Sequence, residues 1–358
     1  MPATRLSGKT SRPILKPSRR ALLATSAAAL AAPFMPKRIY AQTAKTAVKF
    51  SLNLPRNGTN SPFIYALEKG YFAAEGIEIT AMDPASGADA LQRVASMTYD
   101  ASFADLTSLS EFYAGFPEQV PLAVFNIYKV TPAAIVSWKS SKIVKPADLI
   151  GKTVGGPLTD NAFKLFPVFY KVNGLDPAAV KFNNVDLRLR ESQLIRREVD
   201  AVTGFDSTVW LNLKGLGHKI EDVSIMLYAD HGLDFYGNSV VVSRKFLKDN
   251  EAAIPGICRA VCRGWQDAMK NSKAVTDALV KADALVKPDI EQDRLEWVLT
   301  HQVKTEEGRK LGLGAIDPAK LQRGINTIAG AYNLSKVATV DAIWSDKYLP
   351  PASMRAIA

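Results

Sequence analysis

From Val48 onward the chain keeps changing its period. "VKFSLNL" alternates as a strand does, one side chain to each face in turn, and runs out in the polar loop "PRNGTNSP". "FIYALEKG" has helical spacing and stops at Gly70, "YFAAEG" is a second short turn stopped at Gly76, and "IEITAMD" alternates again. Glycine accepts the left-handed backbone that ends a helix. The pair therefore predicts a helix, a corner and the next strand of a βαβ unit. The rhythm continues through helix "DALQRVASM", strand "ASFAD", helix "LTSLSEFYAG" and strand "VPLAVFNIY". A second series starts near Ala133 with "AAIVSW" and "TVGG", then helix "AFKLFPVFYKVNG", strand "VKFNNVD" and helix "ESQLIRREV". Strand "DAVTGF", helix "STVWLNLKGLG" and strand "IMLYAD" complete it, and "NSVVVSRKFL" is the last strand predicted. Beyond it, "AAIPGICRAVCRGWQDAMKNS", "AVTDALVKA" and "IEQDRLEWVLTHQV" are helical in period. Such alternation predicts an α/β fold of mostly parallel sheets flanked by helices. Two series without a Gly/Ser-rich linker predict two lobes joined by strand-like crossovers.

Charge changes the picture at one end only. The formal net charge is +10, but residues 1–41 hold eight Lys/Arg and no Asp or Glu, which leaves +2 for the rest. A near-neutral body argues against a nucleic-acid partner, which calls for a concentrated basic face. Within that end, "SRRALLATSAAALAAP" sets Arg19-Arg20 before an apolar run from Ala21 to Ala32. At about 1.5 Å per residue the run is too short to cross a bilayer core of about 30 Å. Basic end, short apolar middle and small exit residue make an export signal, with cleavage expected after Ala41. The paired arginines resemble the twin-arginine class. The mature protein is therefore expected in the periplasm.

Cys258 and Cys262, the only two cysteines, fall at i and i+4 on one helix face with no His/Cys cluster nearby. They are read as buried core residues rather than a zinc site or an intrahelical disulfide. His218, His231 and His301 are scattered, and no P-loop, G-x-S-x-G elbow or G-x-G-x-x-G following a strand is present. No catalytic residue, metal or cofactor is assigned.

In open parallel sheets, ligands sit beyond the carboxyl ends of the strands, where helix N-termini also point. The loops there carry Asn53, Arg56 and Asn57, then Ser86, Gly87 and Ala88, then Asp105, Thr107 and Ser108. The second series offers Thr159, Asp160 and Asn161, then Phe205 and Asp206, with Tyr236 and Asn238 before the last strand. Hydroxyl, amide and small residues at successive strand ends read together as donors and acceptors converging on one small polar ligand. Arg188 and Arg190 in "DLRLRE" are read as a solvated helix entrance rather than an anion clamp.

"FIYALEKGYFAAEGIEI", "ADLIGKTVGG", "REVDAVTGF" and "GNSVVVSRKFLKDN" together resemble the nitrate/sulfonate/taurine-type solute-binding proteins of ABC importers. That family also includes binders of thiamine-pyrimidine precursors. The resemblance implies a two-lobed type II periplasmic-binding-protein fold with a ligand cleft between the lobes. Residues 42–130 and 240–358 would form the first lobe, and 131–239 the second. It implies a protein that closes over a small-molecule solute and delivers it to permease and ATPase subunits at the inner membrane; a monomer is expected, though nothing in the sequence fixes the oligomeric state. It also places Tyr71-Phe72 as core at the corner, away from ligand. Pyrimidine binders of this kind carry an aromatic in a first-loop "W-x-P-N" pattern, and here Asn53 stands in its place, with Arg56 after the proline. The expected solute is therefore a sulfonate, nitrate, taurine or carboxylate, with a pyrimidine or other small N-heterocycle as the alternative. Asp105 and Asp206 favour that alternative, since buried carboxylates suit an amine or ring N–H. An enzyme on the same fold and an effector-sensing domain are the remaining readings.

Overall fold

A computed structural model describes residues 45–357, so the expected export signal and its cleavage position lie outside the described residues. Strands β1 (Thr46–Ser51), β2 (Ile77–Asp83), β3 (Ala101–Asp105) and β4 (Leu122–Asn126) come first. Then come β5 (Ala133–Trp138), β6 (Thr153–Gly156), β7 (Lys181–Asn184), β8 (Ala201–Phe205) and β9 (Val223–Leu227), with β10 (Asn238–Val242) last. They form two five-stranded sheets, ordered β2-β1-β3-β10-β4 and β7-β6-β8-β5-β9. In each sheet four strands share a direction, and the strand that follows a crossover, β5 or β10, runs against its two neighbours.

In the first lobe the helices are α1 (Ser61–Glu68), α2 (Tyr71–Ala74), α3 (Gly87–Ala95) and α4 (Ser108–Gly115). In the second they are α5 (Asn161–Val172), α6 (Arg190–Ile195) and α7 (Asp206–Gly215). After β10 follow α8 (Arg244–Asn250), α9 (Ile254–Lys270), α10 (Ser272–Ala282), α11 (Pro288–Val298) and α12 (Glu306–Leu311). The chain ends with α13 (Pro318–Tyr332), α14 (Val340–Ile343) and α15 (Ala352–Arg355). None of the described helices is long and apolar enough to cross a membrane.

The double stop between α1 and β2 forms as its glycines predict. Gly70 and Gly76 take φ of +71° and +72°, and the turned chain sets Ile77 and Ile79 opposite Thr46 and Val48 of β1. Phe72 is buried in the core, and the Tyr71 hydroxyl donates to the Asp267 carboxylate. The strand predicted over "NSVVVSRKFL" ends earlier, at Val242. The Ser243 hydroxyl accepts from Phe246 N and so opens α8, an N-cap that the apolar run obscures.

Each sheet buries both faces. Phe50, Phe63, Phe103 and Trp265 form the centre of one core of the first lobe, with the Phe63 and Phe103 rings 4.9 Å apart. Burying each such ring contributes roughly 1.5–3 kcal/mol. The opposite face holds Val94, Leu109, Ile325 and Trp344. In the second lobe Phe166, Phe169 and Tyr228 cover one face, and Leu194, Val209 and Leu213 the other.

Two C-terminal helices serve both lobes. Helix α13 places Leu321 and Ile325 in a first-lobe core and Ile328 in a second-lobe core. Helix α11 buries Leu295 and Val298 in the first lobe, while Ile290 and Trp297 pack against the core around α7. The two crossovers run side by side, with Thr131 N donating to Phe235 O at 2.8 Å and Gly237 N to Tyr128 O at 3.0 Å.

Candidate functional site

A cavity of about 400 Å³, its open mouth included, lies between the lobes. Leu54 and Ser86 line it from the first lobe, and Thr159, Asp160, Asn161, Arg190, Phe205 and Thr208 are among its second-lobe walls. The lobes meet beside it, where Ala88 N at the start of α3 donates to Thr159 O at 3.4 Å. Of the residues expected at the site, Ser86, Thr159, Asp160, Asn161 and Phe205 thus reach one cavity. Ala88 and Ser108 instead border a neighbouring hollow that also meets Asn161 and Lys164. Gly87 opens α3.

Asn53, Asp105 and Asn238 lie buried along the carboxyl edge of the first sheet, one residue from the cavity-lining Leu54 in the case of Asn53. Asn238 is registered opposite Asp105. Asp105 Oδ1 accepts from the Thr107 hydroxyl and from Ser108 N at 3.0 Å, which ties the start of α4 to the strand end. Its Oδ2, like Asn53 Oδ1 and Asn238 Oδ1, is buried without a protein donor. Burial pushes the Asp105 carboxyl up, and the Thr107 hydroxyl and Ser108 N–H pull it back. Buried acceptors left without a donor are costly, about 1–3 kcal/mol each, so this edge suits a partner that brings N–H or O–H groups.

Four expected ligand residues have other work. Asn57 caps the turn Gly58–Asn60, its Oδ1 accepting from Thr59 N at 2.9 Å. Arg56 reaches back to Met82 O at 3.5 Å. The Tyr236 hydroxyl donates to the Glu307 carboxylate and accepts from Asp317 N at 2.7 Å, in the C-terminal region. Asp206 is buried and turned toward the C-terminal helices: Oδ2 accepts from Trp297 Nε1 at 2.8 Å and Gln302 Nε2 at 2.9 Å, and Oδ1 from Ser207 N at 2.6 Å. Donors from its own protein already surround that carboxylate.

Sequence reasoning overlooked Leu54, Pro157, Leu187 and Thr208 and read Arg190 as solvated, yet all five line the cavity. Arg190 is the main correction. It is 1% exposed rather than solvated, whereas Arg188 is exposed. Its Nη1 donates to Asp160 Oδ2 at 3.2 Å and Thr203 O at 3.3 Å, and Nε and Nη2 both reach Glu191 Oε1. Four of the five guanidinium N–H groups are therefore used within the protein. Burial pushes the Asp160 carboxyl up, against the pull of Arg190 and of the Ala162 and Phe163 N–H groups. One guanidinium facing two carboxylates leaves no surplus positive charge at this wall.

A family model described as NMT1/THI5 like matches residues 57–274, about three fifths of the chain. The chain belongs to the NMT1/THI5-like family. Among curated proteins it is 24% identical to the riboflavin-binding protein RibY of Chloroflexus aurantiacus over 82% of this chain and 83% of that one. It is 23% identical to the formylaminopyrimidine-binding protein of Halalkalibacterium halodurans, over 68% and 70%. A Legionella pneumophila relative, 22% identical, is named a 4-amino-5-hydroxymethyl-2-methylpyrimidine phosphate synthase and covers 62% of this chain and 68% of its own. Among solved structures, the aliphatic sulphonate binding protein SsuA of Escherichia coli superposes with a TM-score of 0.64 at 15% identity. That match covers 85% of this chain and 94% of SsuA. At these identities the likeness establishes the periplasmic-binding-protein fold of this family member, as the two lobes and their strand order do independently.

Proposed function

We propose that this family member is the solute-binding component of an ABC importer, working in the periplasm without chemical change to its solute. The observation that carries the reading is the cavity walled by both lobes at their strand ends, with the lobes in contact at Ala88 and Thr159. Closure would bury a solute among fixed groups, and the paired crossovers at Thr131–Phe235 and Tyr128–Gly237 are where such a motion would bend. The permease and ATPase partners follow from the same reading. Cys258 and Cys262 support a binder over an enzyme, because both thiols lie in the core of the first lobe.

Of the two solute classes, the site favours a small N-heterocycle over an organic anion. The oxygens of Asn53, Asp105 and Asn238, on the first-lobe sheet edge rather than in the cavity lining, lack protein donors, the Arg190 guanidinium is already matched by acids, and Phe205 with Leu54 gives an apolar wall. The names of the riboflavin- and formylaminopyrimidine-binding relatives agree with this choice. The test is a thermal-shift and calorimetry panel of riboflavin, a formylaminopyrimidine, an alkanesulfonate and nitrate. A ligand at 100 times its Kd stabilises by about 2.7 kcal/mol, a readily measured rise in Tm. A heterocycle is expected to give that rise and be recovered unchanged. Binding by nitrate or the sulfonate alone would reverse the choice of class, and turnover of the bound compound would overturn the transport reading.

A further inference from the structure

Helix α11 holds a buried ion pair that belongs to neither sheet. Arg294 Nε donates to Glu291 Oε2 at 2.8 Å and Nη2 to Glu291 Oε1 at 3.2 Å, with both residues buried. An i,i+3 pair on an ordinary helix surface is worth a few tenths of a kcal/mol. Buried pairs cost desolvation and are therefore weak grounds for stability alone. The partners of this pair suggest what it is for.

Toward the first lobe, Glu291 Oε2 accepts from Gly58 N at 2.6 Å. Gly58 sits so close to α11 that a Cβ on it would lie 2.2 Å from Glu291 O and 2.9 Å from Leu295 N, so the glycine is required by contact. The same turn is tied back to the cavity wall, because Asn60 Nδ2 donates to Pro55 O at 3.1 Å and Leu54 O at 3.4 Å. Toward the second lobe, Arg294 Nη1 donates to Ser207 O at 2.8 Å and Thr208 O at 3.2 Å, and Nη2 to Asn212 Oδ1 at 3.0 Å. All five N–H groups of Arg294 are thereby engaged. Thr208 lines the cavity, and its hydroxyl is buried without a partner.

We infer that Glu291 and Arg294 are positioning residues for the cleft: one buried ion pair on a C-terminal helix holds a cavity-lining segment of each lobe. The two walls are then set by a common support, and disturbing either member of the pair loosens both. Packed, hydrogen-bonded support of this kind is what fixes binding groups to within a fraction of an ångström. The affinity part of this inference rests on the cleft being the solute site; the coupling of the two segments does not.

Hydrogen–deuterium exchange on the ligand-free protein carrying Glu291→Gln tests the coupling. Glutamine keeps the length and one acceptor oxygen but removes the charge that faces Arg294. Faster exchange is expected in both segments, at Gly58–Asn60 and at Ser207–Asn212, with the amides of α9 unchanged. Arg294→Lys, which keeps the charge and loses the fork, is expected to give the same two-sided pattern. Loss of protection at one segment only, at neither, or uniformly across the protein would overturn the inference. With riboflavin and a formylaminopyrimidine as probes, affinity is expected to fall by a similar factor, about tenfold, for whichever bind. A contact residue would instead discriminate between them, and that outcome also counts against a positioning role. Failure of both probes to bind wild-type protein would overturn the heterocycle reading while the exchange result still decides the coupling.

Discussion

Replacing Arg190 by Met tests most directly whether the cavity wall is built as described. The substitution keeps an unbranched side chain of similar reach and removes the guanidinium that now meets Asp160, Glu191 and Thr203 O. Arg190 is 1% exposed, and the Asp160 and Glu191 side chains 12% and 7%, so water can replace little of what is lost. Removing one member of a buried ion pair costs about 3–5 kcal/mol, because the remaining charge is stranded. For a chain of this size that corresponds to a fall in Tm of about 4–8 °C. The pH dependence adds a second reading. Burial already raises the Asp160 carboxyl, and Arg190 is the largest influence holding it down. A folded-state pKa above the unfolded one means the native protein keeps a proton that the unfolded chain has lost, so stability falls as pH rises through that interval. Without Arg190 the interval widens upward. The variant is therefore expected to recover part of its loss on acidification from pH 8 to 5, with a steeper slope than wild type. Differential scanning fluorimetry across that range measures both effects. A Tm within about 2 °C of wild type and a parallel pH profile would mean that Arg190 is solvated after all.

Asp206→Ala is expected to destabilise the ligand-free protein by about 3–5 kcal/mol, since Trp297 Nε1 and Gln302 Nε2 lose a buried acceptor. An unchanged Tm with weakened solute binding would instead put that carboxylate in the cleft. Lys129 is fully buried, which pushes its ammonium down to about 7 despite the pull of Glu307. Its folded value lies below the unfolded one, so stability should rise by roughly 1–2 kcal/mol from pH 7 to 8.5. Above that window the raised thiols of Cys258 and Cys262 begin to act the other way. Urea midpoints should follow this rise, and Lys129→Met should flatten it; a slope that survives the substitution belongs to another group. Both thiols are buried and free, with Cys262 pushed up to about 12, so Ellman's reagent should label neither until denaturant is added. Rapid labelling of the native protein would contradict that burial.

What the sequence made legible follows the range over which each cause acts. The double stop at Gly70 and Gly76 depends on backbone freedom within a few residues, and the period change of "IEITAMD" is local too, so the corner and β2 were readable in advance. The strand-end rule led to Ser86, Thr159, Asp160, Asn161 and Phe205 of the cavity wall, because a loop's position follows from strand and helix order alone. It did not distinguish a cavity wall from its supports. Asp206 sits at a strand end like the others, yet its acceptors are taken by Trp297 and Gln302, about ninety residues on, from a helix whose placement no local pattern announces. Arg190 read as surface because arginine is rarely fully buried. Its site exists because Gly204 leaves room, where a Cβ would come within 2.5 Å of Nη1, and because acids at 160 and 191 converge on it. Helix α13, which joins the cores of both lobes, also escaped notice, its Leu321–Ile325–Ile328 stripe being broken by Lys320 and Arg323. Lys320 is itself buried, its Nζ donating to Lys129 O at 3.0 Å and to Glu307 at 2.8 Å. Long-range polar partners thus make charged positions interior. In a two-lobed protein whose last helices serve both lobes, such partners gather at the joint, where a pattern read along the chain is least informative.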